Sequence, residues 1–208
     1  MKRERTRRAR PFAMSPSAGQ SGTTGTPRPA RRLRKAGAGH ATGHGLTHLD
    51  PAGRVRMVDV GDKPVTRREA VAAGTITMNA RAFEAVRRGT LAKGDIAPLA
   101  RIAGIAAAKR TADLVPLCHP VPLDHVAVDV RLDKPARAVH VEARVRTRWS
   151  TGVEMEALAA VAAALLTVYD VAKAIDRGMQ IDAVRLLHKS GGRSGTYQRS
   201  GRNKPRAR

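Results

Sequence analysis

The chain reads as an α+β protein. Three observations predict that class. Two neighbouring segments alternate apolar and polar residues at period two, one long segment repeats apolar residues at three-four spacing, and shorter strand and helix patterns interleave before them. From the N-terminal side, Arg54–Val60 has the pattern of a short strand. Thr66–Ala73 and Asn79–Arg88 read as helices on either side of a short apolar strand, Thr75–Met78. Asp95 can cap a helix running to about Lys109. Pro116, Pro120 and Pro122 force an extended, irregular stretch, because proline lacks the N–H and restrains the residue before it. Val126–Leu132 and Val139–Arg148 are the two alternating strands, joined around Lys134–Pro135 as in a hairpin. Glu154–Arg177 is the long helix, with Thr151 and Glu154 spaced as a capping box and Gly178 as its stop. Leu158, Val161, Leu165, Val168, Ala172 and Ile175 form one apolar seam on it. Ile181–Leu187 closes the pattern as a last strand.

Charge divides the 208 residues into three parts. The chain carries +22 in total. Residues 1–45 hold 11 basic and 1 acidic side chains, residues 198–208 hold 5 and none, and residues 46–197 hold 23 against 16. The body is therefore mildly basic, which suits an anionic substrate. Residues 1–45 have one aromatic and no apolar period, so they cannot offset their ordering entropy and are expected to be disordered. The RPARRLRK run at 28–35 can bind nucleic acid or acidic surfaces, be a solvated extension that follows from an early start (Met14 being the alternative to Met1), or belong to a transit peptide. The folded domain is expected over 46–197 and a basic disordered tail over 198–208. One cysteine excludes an internal disulfide and fits a reducing compartment, so a cytoplasmic protein is expected. No apolar run reaches the ~20 residues of a membrane span, the longest lying around Ala157–Leu166. No basic start followed by an apolar segment marks a secretory signal.

Four strings hold the side chains with chemical potential: Thr111–Leu123 (TADLVPLCHPVPL), Thr151–Leu158 (TGVEMEAL), Tyr169–Asp176 (YDVAKAID) and Lys189–Gly195 (KSGGRSG). On a helical wheel Met155, Glu156, Asp170 and Lys173 share an arc away from the apolar seam, so the helix offers a polar face. Asp170 and Lys173 stand i, i+3, close enough to interact; by themselves they read as a surface ion pair that contributes little. Cys118 and His119 are adjacent in an extended stretch and point to opposite sides, which argues against a nucleophilic dyad. Lys189 and Arg193 flank a glycine-rich loop whose N–H groups can cradle phosphate oxygens, although it lacks the Walker spacing. His40, His44 and His48 have a spacing of four, but Gly43 and Gly45 oppose the helix that would align them, so no metal site is expected.

These four strings, together with Lys93-Gly94-Asp95, ARIAGI at 100–105 and AAKRT at 107–111, resemble the molybdenum-cofactor biosynthesis protein C family, the cyclic pyranopterin monophosphate synthases. The resemblance covers about Leu46–Tyr197. It implies a ferredoxin-like sandwich of antiparallel sheet and helices, assembled into dimers and then a hexamer as a trimer of dimers. The activity it implies is a lyase reaction of molybdenum cofactor biosynthesis. That reaction converts (8S)-3′,8-cyclo-7,8-dihydroguanosine 5′-triphosphate, a small molecule derived from guanosine triphosphate, into cyclic pyranopterin monophosphate and diphosphate. Carried over residue by residue, it names Asp170, Lys93, Lys173 and His119 as catalytic. Leu117, Cys118, His119, Met155 and Glu156 line the substrate pocket, and Arg101, Lys109, Lys189 and Arg193 are candidates for the triphosphate. No cofactor or metal is implied. Val171 and Ala172 replace the family's usual Met and Cys, Arg193 replaces a Lys, and Ser150 stands where a Lys is frequent. Glu156 and Asp170 lie 14 residues apart, ~21 Å along one helix. One small site does not take both from the same protomer unless the substrate is long, whereas an interface site can take one end from each of two helices; inactive Asp170 and Glu156 variants would then complement one another. A nucleic-acid binder driven by the basic ends is the rival reading, but Phe12, Phe83, Trp149, Tyr169 and Tyr197 are too few and scattered for a base-stacking platform.

Overall fold

A computed structural model describes residues 53–91 and 94–200. Residues 1–52, which hold the basic extension and the His40, His44 and His48 series, lie outside the described residues, as do Lys93 and positions 201–208.

The elements run β1 (Thr66–Thr77), α1 (Ala80–Arg88), α2 (Ile96–Ala108), α3 (Thr111–Leu114), β2 (His125–Asp133), β3 (Ala138–Trp149), α4 (Glu154–Ala172), β4 (Gln180–Ser190) and β5 (Tyr197–Gln198). The strands form one antiparallel sheet in the order β2-β3-β1-β4-β5, which establishes the α+β class. The alternation in β2 and β3 becomes two faces. Val139, Val141, Ala143 and Val145 are buried, while His140, Arg144 and Arg148 are exposed. Ala70, Ala72, Gly74 and Ile76 of β1 pair with Val145, Ala143, Val141 and Val139 and extend the same inward face. The outer face is polar, with Arg144 2.9 Å from Glu69 and His140 placed between Thr75 and Asp133.

Helix starts follow the capping residues in two cases. Asn79 Oδ1 accepts from Ala82 N (2.9 Å) ahead of α1, and Asp95 Oδ1 accepts from Ala97 N (3.0 Å) ahead of α2. Gly89 ends α1 with φ 64°, the left-handed conformation that glycine adopts without penalty.

Five expectations are corrected. Thr66–Ala73 is not a helix but the first part of β1, continuous with the expected strand after it. Its alanines favour helix locally, but the segment lies between β3 and β4, and small side chains there let α4 approach the sheet. Arg54–Val60 is not a strand; only Val55 forms an isolated bridge. The capping box before α4 does not form: Val153 takes the cap position, with no side-chain cap bond, and the Glu154 carboxylate folds over Gly152 instead. Helix α4 ends at Ala172, before Arg177 and Gly178. By length and a mean hydropathy of 1.6, α4 also matches a membrane span, a length the sequence alone was expected not to reach. Its Ala157, Ala160, Val161, Ala164, Leu165 and Val168 are fully buried in the protein core.

Two glycines set how closely α4 packs. A Cβ at Gly74 of β1 would come within 2.8 Å of Leu165 and 2.9 Å of Val161. At Gly104 of α2, a Cβ would lie 2.9 Å from the Ala160 carbonyl oxygen and 3.1 Å from Val128. The second contact is with backbone, so relief requires a helix to move. Gly104→Ala gains about 1 kcal/mol of helix propensity, yet overpacking costs about 1–3 kcal/mol. The expected outcome in urea unfolding is a lower midpoint with an unchanged slope.

Candidate active site

The turn after α3 carries the chain from α2 back towards α4. Cys118 N donates to Val115 O (2.9 Å), closing a turn around Pro116. Leu117, Cys118 and His119 leave that turn half-buried, facing the start of α4. Between this strap and α4 lies a cavity of about 380 Å³. Its walls include Leu117, Cys118 and His119 on one side and Thr151, Gly152 and Glu154–Glu156 on the other, with Val58, Val60 and Lys63 from the segment before β1. Two strings that lie more than thirty residues apart in the sequence thus meet in one place. A second cavity of about 380 Å³ lies against Lys109–Asp113 and Pro120–Pro122, and Glu156 belongs to the walls of both.

The wheel expectation for α4 holds for three of its four polar-arc residues. Met155, Asp170 and Lys173 are exposed, but Glu156 is only 2% exposed. It sits at the edge of the arc, and the strap covers it. The Cys118 thiol donates to Glu156 Oε1 at 3.6 Å, and Glu156 Oε2 is buried without a hydrogen-bond partner. Burial pushes the Glu156 carboxyl above its ordinary value, and the nearby Glu154 charge adds to this. Burial likewise pushes the Cys118 thiol up to about 11, with Glu156 and Glu154 reinforcing the shift. Such a thiol is a poor nucleophile at neutral pH, and Cys118 forms no hydrogen bond with His119.

The remaining candidates lie elsewhere in the protomer. Asp170 Oδ1 and Lys173 Nζ are 2.7 Å apart at the far end of α4, both about half exposed. Fourteen residues of continuous helix separate Asp170 from Glu156, ~21 Å. Arg101 donates from Nε to Val128 O (3.0 Å), which ties it to the β2 backbone, and it lines neither cavity. Lys109 caps α2 and lines the second cavity. Lys189, next to last in β4, donates to Ser194 across the glycine-rich loop, while Arg193 is exposed on that loop.

Arg68 was missed by sequence reasoning. It lies in the stretch expected to be helical, and nothing in its neighbours distinguishes it from a surface arginine. In the structure its guanidinium occupies the space a Gly192 side chain would take, and Nη2 donates to Ser150 O (3.1 Å). It therefore joins the glycine-rich loop to the turn that enters α4. Gly191 and Gly192 take φ of 90° and 71°, and a Cβ on Gly191 would collide with the Arg67 carbonyl, so the loop's path over β1 requires glycine.

Among the described residues no group of three or more His, Cys, Asp or Glu side chains is arranged to hold a metal ion.

Comparison with known proteins gives a consistent result. The sequence profile of the MoaC family matches residues 57–192. The chain is 58% identical over 154 residues to a cyclic pyranopterin monophosphate synthase of Thermomicrobium roseum, covering 74% of this chain and 93% of that protein. It is 60% identical over 152 residues to the protein of the same name from a Roseiflexus species, covering 73% and 96%. With that of Cereibacter sphaeroides it shares 53% over 156 residues, covering 75% and 98%.

Because Cys118 is the sole cysteine, its chemistry can be read directly. Iodoacetamide should alkylate the native protein far more slowly than the urea-unfolded protein at pH 8. The native rate should climb until about pH 11, where the thiol ionises.

Proposed function

The chain belongs to the MoaC family, and on that premise we propose that it is a cyclic pyranopterin monophosphate synthase of molybdenum cofactor biosynthesis. Its substrate is (8S)-3′,8-cyclo-7,8-dihydroguanosine 5′-triphosphate, and its products are cyclic pyranopterin monophosphate and diphosphate. The observation that carries this reading is the meeting of the Leu117–His119 strap with the Gly152–Glu156 string around one cavity.

The reaction sets its own requirements. Ring opening and closure need groups that give and take protons. Forming a cyclic monophosphate with release of diphosphate needs a substrate hydroxyl to lose its proton, attack the α-phosphorus and displace the diphosphate oxygen. Cations must stabilise the charge that the leaving group gathers. Asp170 and Lys93 are assigned to proton transfer, Lys173 to proton transfer or charge stabilisation, and His119 to orienting the substrate. Leu117, Cys118 and Met155 supply apolar walls. Lys109, Lys189 and Arg193 are the stronger triphosphate candidates; Arg101 is weaker because its Nε is already committed to β2. Arg193 keeps the charge of the family's usual Lys but offers a planar fork of donors.

The strand order β2-β3-β1-β4, with α4 packed on β1 and β3 and α2 on β2, supports the ferredoxin-like arrangement. The ~21 Å between the two ends of α4 supports a site shared between protomers. In that arrangement one chain gives the strap and the first turn of α4, and its neighbour gives Asp170 and Lys173. Dimers of this kind, combined three together, make the proposed hexamer, and a cytoplasmic location suits the reduced cysteine.

Incubation of the purified protein with the cyclic triphosphate should yield diphosphate and the pterin product by mass spectrometry, and Asp170→Ala should yield neither. No product from folded parent protein, with substrate verified intact, overturns the reading. The shared site has its own check. Asp170→Ala and His119→Ala proteins, each inactive alone, should recover about a quarter of parental activity after unfolding and refolding together, as random mixing of two-fold dimers leaves one intact site in half of them. Persistent inactivity of a verified mixed oligomer means that each protomer carries a complete site.

A further inference from the structure

The outer face of the sheet, away from α4, carries charge that none of the roles assigned above uses. At the end of β3 the alternation buries Val145 and Thr147 and sets Arg146 and Arg148 on the outer side. The register places partners beside them. Arg148 stands opposite Arg67 of β1, and Arg146 stands between Glu69 of β1 and His125 of β2. Arg67, Arg146, Arg148 and His125 line one cavity of about 320 Å³, together with Asp124 and Thr147. Arg68, the residue after Arg67, turns to the other face and bonds Ser150 there. This cavity shares no residue with the strap cavity, and none of its cations is a triphosphate candidate of the proposed reaction.

The charges at this end of the sheet do not balance. Like charges directly opposite one another on paired strands are destabilising. Arg67 and Arg148 are such a pair, both exposed, and neither forms an ion pair or a side-chain hydrogen bond among the described residues. Glu69, one rung away, is already engaged: its Oε1 lies 2.9 Å from Arg144 Nη1 and its Oε2 3.7 Å from Arg146 Nε. Arg146 Nε is buried and makes no hydrogen bond, so Glu69 offsets its charge without satisfying that donor. Asp124 is the single acid in the cavity wall, against three arginines and a histidine. An anion from outside supplies what the fold does not, counter-charge for the Arg67–Arg148 rung and acceptors for the guanidinium donors.

We propose that this cavity binds an oligophosphate, an anion of at least two linked phosphoryl groups, at a site separate from the catalytic one. Spacing selects that class. Paired Cα atoms on neighbouring strands are about 5 Å apart, and same-face residues along one strand are about 7 Å apart. Arg67 and Arg148 therefore set two guanidinium forks side by side, with Arg146 one rung further along β3. A carboxylate or a single phosphate is taken up by one or two forks, whereas linked phosphoryl groups offer oxygens to all three. The planar fork of arginine suits such oxygens better than the point charge of lysine. Free diphosphate and the phosphate chain of a nucleotide share this chemistry. The assignment stands whether or not the chain turns over its proposed substrate.

Titration calorimetry of the full chain with inorganic diphosphate, at constant ionic strength, reads the site. The parent is compared with the double variant Arg67→Gln, Arg148→Gln and with Arg87→Gln, Arg88→Gln, which removes the same charge from α1. The first variant should bind diphosphate at this site at least about tenfold more weakly, losing one binding event per protomer; the α1 variant should match the parent. Lys189→Ala combined with Arg193→Ala should keep the event, because those cations belong to the other site. Inorganic phosphate should bind at least about tenfold more weakly than diphosphate. GTP identifies the source: tighter binding than diphosphate, lost in the same variant, assigns a nucleotide, and weaker or equal binding assigns free diphosphate. Circular dichroism and melting curves establish folding, and Arg148→Gln alone replaces the double variant if that does not fold, with the same weakening expected. Unchanged binding without Arg67 and Arg148 overturns the proposal, and so does an equal loss in the α1 variant, which makes the effect one of general charge. Loss of the event without Lys189 and Arg193 overturns it by placing the anion at the catalytic site. Phosphate binding as tight as diphosphate overturns the oligophosphate class. A smaller oligomer without Arg67 and Arg148, by sedimentation and with diphosphate binding unchanged, makes this face an interface between copies instead.

Discussion

The close approach of α4 to the sheet and to α2 is the constraint on which the rest of the protein depends. Protein interiors are packed at crystal-like density, so two elements separate by whatever their contact side chains require. Here the contact positions are reduced to glycine and alanine: Gly74 beneath Val161 and Leu165, and Gly104 against the Ala160 carbonyl. A helix seated this tightly cannot slide or roll without collision. Its first turn is therefore a fixed reference point, and the strap that covers that turn acquires a defined position. The same burial explains why a helix apolar enough to resemble a membrane span is the central rod of a compact core.

The cavity beside the first turn of this rod has a buried wall. Glu156 and Cys118 meet behind the wall, where burial raises the proton affinity of both groups. The candidate cations lie on other elements. Lys109 is at the end of α2, while Lys189 and Arg193 are at the end of β4, on a glycine loop held to β1 by Arg68. The proposed reaction asks of these parts a shaped place for the ring system and positive charge for the phosphates. The Asp170–Lys173 pair fits neither group within one protomer. Its place at the opposite end of α4 is what makes a second chain part of the functional reading.

How much of this was legible in the sequence varies with the range of the interactions involved. The period-two alternation of β2 and β3 reflects the two environments of each strand, core and solvent, and it located both strands to within two residues. Asp95 acts within its own first turn, so its capping role was readable locally, whereas Asn79, read as the first helical residue, turns out to be the cap of α1. Thr66–Ala73 misled because alanine propensity is a local quantity, whereas the strand is imposed by β3 and β4, which come more than fifty residues later. The capping box failed because Glu154 found Gly152 closer than the backbone it was expected to reach. The direction of Glu156 was not legible either. A wheel places it beside the polar arc, and only the strap, nearly forty residues earlier, decides that this edge is covered. The pairing of Leu117–His119 with Met155–Glu156 was an implication of family resemblance, not of any spacing, and Arg68 carried no signal at all.

A crystal structure of the Lys93→Ala protein with the cyclic triphosphate bound is the most direct measurement of the central claim, that α4 serves two sites with its two ends. The expected result is a ring system held between the Leu117–His119 strap and the first turn of α4, with Asp170 and Lys173 reaching it from a second copy of the chain. A ring bound elsewhere, or one contacted by Asp170 and the strap of the same chain, contradicts it.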